Sequence, residues 1–113
     1  MIALGLALQL ASVSQIYGDQ LRQFEPYRVC VLSKAKELAR SAEPIAALEK
    51  AAKSECRVDY VAAEADLAFD EAQLAAAELP NPGGYHPRKH FSEMEQALSE
   101  DFAAAVVRQR LNR

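Results

Sequence analysis

Two sets of residues in this chain have types and spacing that could do chemistry. The first is the cysteine pair, Cys30 and Cys56. Twenty-five residues separate them, whereas C-x-x-C redox motifs and zinc sites bring their sulfur ligands close together in sequence. Two thiolates alone would leave a zinc ion half-coordinated, so the spacing favours a disulfide; two buried free thiols are the alternative. The second set is His86, His90 and Glu93. An i, i+4 histidine pair on a helix face is a metal-binding arrangement, with Glu93 just beyond. Pro87 opposes this by placing His86 outside a helix interior, and Arg88 and Lys89 repel a cation. Two solvent-facing histidines are the plainer expectation.

Carboxylates are the remaining candidates. Asp59, Glu64, Asp66 and Asp70 could supply a general acid and base, but no nucleophile accompanies them, and their spacing reads as a solvated helix face. The chain contains no G-x-S-x-G, H-E-x-x-H, G-x-G-x-x-G or P-loop pattern. The expectation is a non-enzymatic protein without a cofactor.

The elements that would position these residues are helices. Ala, Leu, Glu, Lys and Arg dominate a chain of 113 residues with four Gly and no Trp, the composition of packed helices in one domain. Periodicity predicts helices over about 16–40, 44–78 and 91–111, with a loop over 79–90 where Pro80, Pro82, Gly83, Gly84 and Pro87 forbid continuation. Ser41 or Glu43 would cap the second helix, Pro44 suits its first turn, and Ser92 with Glu95 forms a capping box for the third. Arg108, Arg110 and Arg113 would face the negative end of that helix's dipole.

If the chain reverses near Glu43, Cys30 and Cys56 lie level, thirteen residues to either side. Cys56 falls on the stripe of Ile45, Leu48 and Ala52. Cys30 borders that of Phe24, Tyr27, Val31 and Leu38. The fold class expected is therefore all-α: a disulfide-tied antiparallel helical hairpin plus a third helix. In the chain-entropy account such a link stabilises by about 3 kcal/mol. The third helix would turn Met94, Leu98, Phe102, Ala105 or Val106, and Leu111 inward, supported by Leu67, Phe69 and Leu74. Leu67 and Leu74 are one heptad apart, and Cys56, Tyr60 and Ala63 continue their stripe, a short coiled-coil seam that would allow self-association.

Residues 1–14, MIALGLALQLASVS, carry no charged side chain. Their apolar run is too short to span a bilayer, and Ser12 and Ser14 suit a signal peptidase, which predicts a cleaved leader followed by a single domain over 15–113. A buried first helical segment is the alternative. Stable disulfides belong to exported compartments, so leader and cysteine pair support each other. The net charge is −3, with 13 basic and 16 acidic residues interspersed, and no basic stripe exists for nucleic acid. Residues 42–79 hold nine acids against three bases, a surface suited to a cationic partner. The leading expectation is a periplasmic or secreted helical protein that acts through protein contacts or as a structural, chaperone-like module. A metal-binding protein using His86 and His90, and a cytosolic helical adaptor, are the other readings.

Overall fold

The computed structural model describes residues 21–77 and 86–112. The expected leader over 1–14 and the loop residues 78–85 lie outside them. Among the described residues the architecture is all-helical: α1 (Phe24–Leu38), α2 (Ile45–Glu55), α3 (Arg57–Ala77) and α4 (Pro87–Leu111).

The first helix begins later than the expected residue 16, at least within the described part, because residues 21–23 form a turn. Pro26 accounts for this. A proline lacks the N–H and crowds the carbonyl four residues back, so it is tolerated in the first helical turn and not in an interior. Leu21 takes a left-handed φ of 60° and is almost wholly buried. Its carbonyl accepts the Phe24 N–H at 2.9 Å. Gln23 caps α1 without a side-chain hydrogen bond. Its own N–H donates instead to Asp66 Oδ2 of α3 at 3.1 Å, and the Leu21 backbone bonds Asp70. Two carboxylates from a distant helix thus occupy the positive end of the α1 dipole. The reading of Asp66 and Asp70 as a solvated face is corrected accordingly: Asp70 is buried, 5% exposed.

The span expected as one helix over 44–78 is divided at Cys56, where φ is −99° and ψ 22°. The Cys56 N–H is shared between the Ala52 and Lys53 carbonyls, and its own carbonyl accepts from Tyr60 N–H at 3.0 Å. The break is one residue wide. No Gly or Pro marks it; it falls at the residue that is tied covalently to α1. Pro44 is itself the cap of α2, with extended ψ of 147°, and Ser41 Oγ accepts the Glu43 N–H in the preceding turn. At the other end, α4 opens at Pro87 rather than at residue 91. Proline presets φ for the first helical position, and His86 before it is extended, the conformation favoured ahead of a proline. Ser92 and Glu95 therefore sit inside the helix.

The disulfide joins Cys30 to Cys56 with a Cα–Cα distance of 5.9 Å, within the range such links require. Contacts around it pair residues in opposing chain order: Lys34 with Glu55 at 3.7 Å, then Cys30 with Cys56, then the rings of Tyr27 and Tyr60 at 5.1 Å. Helix α1 packs against all three others through Phe24, Tyr27, Val31 and Ala35, an i, i+3/i+4 stripe. Opposite lie Leu48 and Ala52 of α2, Ala63 and Leu67 of α3, and Phe91, Leu98, Phe102 and Val106 of α4. Phe24 meets Tyr27 and Phe91 edge-on at 5.5 and 5.3 Å, a geometry favoured by the ring quadrupoles. Leu and Val, with four Ala, fill most of the remaining core, and each ring buries more apolar area than any of them.

Arg110 closes the structure at its other end. Its guanidinium donates through Nη2 to the carbonyls of Ser41 and Glu43, both at 2.7 Å, and through Nε to that of Ala39 at 3.4 Å. The charge thus serves the carboxyl-terminal end of α1 and the turn after it, in addition to its expected place in the last turn of its own helix. Leu111, expected inside, is 78% exposed. No helix among the described residues is long and apolar enough to cross a membrane.

Candidate functional site

The proposed metal set does not assemble. Among the described residues no group of three His, Cys, Asp or Glu side chains could hold a metal ion, His86, His90 and Glu93 included. His86 is extended and exposed ahead of α4. His90 lies one turn inside, its N–H donating to the His86 carbonyl at 2.9 Å. Arg88, between them, is drawn to α3, where it makes a two-pronged contact with the Glu71 carboxylate at 2.8 and 3.1 Å.

A shallow cleft of about 330 Å³ opens beside the disulfide, where Lys50, Lys53, Ser54 and Arg57 approach Tyr27, Tyr60 and Glu95. Burial raises the Tyr27 and Tyr60 hydroxyls above the ordinary phenol range, with Glu95 adding to the effect, so both stay protonated at neutral pH. Burial also raises Glu95, opposed by Lys53 and reinforced by Glu64. Lys53 is held 3.4 Å from Glu49. Three cations, Lys50, Lys53 and Arg57, line the cleft against one carboxylate, Glu95, and the cleft has the character of a polar seam between α2 and α4.

The outer face of α3 is different. Val58, Val61, Ala62, Ala65, Phe69, Ala72 and Ala76 recur at intervals of three, four and seven residues, and every one is exposed. At 100° per residue they fall within a sector of about 100°, and at 1.5 Å per residue they extend for about 27 Å. Val58 is 84% exposed, Phe69 58% and Val61 51%. The opposite side of the same helix carries Ala63, Leu67 and Asp70, all buried, with Tyr60 and Leu74 partly so. A helix that is apolar on two opposite faces ordinarily has partners on both; among the described residues only the inner face is covered.

The position of Phe69 corrects the expectation that it supports the last helix together with Leu67 and Leu74. Two residues apart on a helix is about 200°, so Phe69 and Leu67 point in opposite directions. Cys56, Tyr60, Ala63, Leu67 and Leu74, expected as a seam open to self-association, are instead buried or partly buried on the inner side of the fold. Phase counting along α3 would have found the outer stripe; grouping its apolar residues without regard to phase concealed it. One edge of the stripe is acidic, with Asp59 and Asp66; the other carries Arg57, Glu64 and Glu71, the last paired with Arg88. Helix α3 holds five carboxylates and a single base, Arg57 at its first position. Such a surface offers apolar contact area bordered by negative charge and carries no reactive group. The sequence matches no protein-family model, and no relative of this chain was found among curated proteins or solved structures.

Proposed function

We propose that this is a small exported protein, periplasmic or secreted, that works without catalysis by presenting the outer face of α3 to another protein. The arrangement of α1 against α2 and the start of α3 acts in this reading as a disulfide-tied antiparallel hairpin, a stiff frame that holds α3 along its inner side, its outer side uncovered by the described residues. The observation that carries the proposal is the exposed row of Val58, Val61 and Phe69. Large apolar side chains contiguous on one helix face are characteristic of interaction surfaces. Export is supported by the Cys30–Cys56 disulfide, which belongs to oxidising compartments, and by the uncharged stretch at residues 1–14 with Ser12 and Ser14 at its end.

The test is site-specific photo-crosslinking in the native host. A photoreactive residue in place of Val61 is expected to give one or a few discrete adducts, whereas the same residue in place of Ser33, exposed on α1, gives none. Identical patterns from the two positions, or no adduct from either, would refute the contact reading. Intact mass of the exported fraction tests the leader independently: a mass that retains Met1 removes it.

A further inference from the structure

We infer that the partner seated on the outer face of α3 is an amphipathic helix whose apolar stripe is bordered by lysine or arginine. This rests on the contact reading above and names the occupant. Shape comes first. A straight stripe one helix-sector wide and about 27 Å long matches a second helix of five turns. Ala62, Ala65, Ala72 and Ala76 keep its surface low, so that a partner axis could approach to the short end of the usual 8–10 Å helix spacing. Val58 and Val61 near one end and Phe69 past the middle stand above it as knobs.

Charge then selects among helices. Asp59 and Asp66 lie seven residues apart on one edge and carry the selection; on the other, Glu64 is offset by Arg57 one heptad before it. One oxygen of Asp66 accepts the Gln23 N–H, which leaves the other for a partner's cation. Glu71 is already paired with Arg88 and contributes least. A second copy of this chain would bring the same carboxylates against each other about a two-fold axis, and like charges across an interface disfavour it. An anionic membrane surface is repelled for the same reason. A partner with cations a heptad apart along its stripe would meet Asp59 and Asp66 in register.

The test uses the oxidised full chain and two synthetic peptides of five helical turns, with Leu and Ala on the apolar face and either Lys or Glu along both edges. Fluorescence anisotropy is expected to show saturable binding of the Lys peptide and none of the Glu peptide. Val58→Asp and Phe69→Asp should each weaken that binding by about tenfold or more, as loss of a central apolar anchor does. Val29→Asp, on the exposed side of α1, should leave it unchanged. Circular dichroism confirms that each variant remains folded. Binding should also fall at about 1 M salt, where screening acts over about 3 Å.

Equal binding of the two peptides, or Lys-peptide binding indifferent to both α3 variants, would overturn the inference. So would a dimer in sedimentation equilibrium that Phe69→Asp dissolves, or adsorption to phosphatidylglycerol vesicles with the same sensitivity. If the Val61 crosslink is obtained and the Lys peptide does not bind, the partner class is wrong while the contact reading stands.

Discussion

Reducing the Cys30–Cys56 bond should destabilise this protein by about 3.5 kcal/mol, the loop-closure entropy of a link spanning 26 residues. The perturbation is clean because reduction changes no side-chain volume beyond two hydrogens, whereas a double alanine variant would also leave a small void at Cys56, which is 1% exposed. The closed loop holds the end of α1, the turn at 39–44 and all of α2, and those helices already pack together in the core. Secondary structure in the folded state should therefore persist, and the loss should come from the freed unfolded chain. Against a typical total of about 5–15 kcal/mol for a domain, this is a large fraction. Urea unfolding followed at the helical circular-dichroism band, with and without reductant, reads it directly. With a slope of about 1.5 kcal/mol/M, the midpoint should fall by about 2 M, and the slope itself should rise because the reduced unfolded chain exposes more surface. Midpoints within about 0.3 M of each other would refute the reasoning, and would mean that residual contacts already hold the two segments together in the unfolded ensemble.

Three further outcomes follow from the same contacts. Arg110→Ala removes the donors to the Ala39, Ser41 and Glu43 carbonyls and should cost about 2–3 kcal/mol in chemical denaturation; an effect below about 0.5 kcal/mol would show the turn to be held without it. Phe102→Ala empties a fully buried position and should cost about 3–5 kcal/mol, measured in the same way. Asp70 is raised above its ordinary value of 3.8, first by burial, then by Asp66, with the Leu21 backbone opposing. A carboxyl with a raised folded pKa binds its proton more tightly when folded, so its contribution to stability is best below its unfolded pKa and is lost as pH rises through the window above it. Asp70→Asn keeps an acceptor for Leu21 and should melt higher than the wild type at neutral pH, with the gap closing on acidification; a variant that melts lower at neutral pH contradicts this.

Helical class and the cysteine pairing were legible in the chain itself, because both depend on local terms: Ala-rich propensity, 3.6-residue periodicity and the level placement of Cys30 and Cys56 about Glu43. The core stripe of the last helix was equally plain at Leu98, Phe102 and Val106, and the edge position of Cys30 was anticipated. Pro26 was a readable boundary signal for α1 that periodicity alone overran, and Pro87 likewise marked the start of α4. The outer stripe of α3 was present in the phase of Val58, Val61 and Phe69, but which of two apolar faces turns outward depends on what packs against the helix.

Other features had no local signal. The break at Cys56 occurs in a run of good helix formers, at the residue joined covalently to α1. Asp66 and Asp70 read as surface charge until the turn at 21–23 is brought beside them, and Arg110 read as a partner for its own helix dipole until the end of α1 is placed within its reach. The Asp66, Asp70 and Arg110 contacts join residues 43 to 71 positions apart, and their driving force is the need of buried or terminal backbone groups for a partner. Sequence determined which segments are helices and how the sulfurs pair. Tertiary structure decided which charges serve the fold and which apolar face of α3 remains available, because only packing determines which groups lose their water.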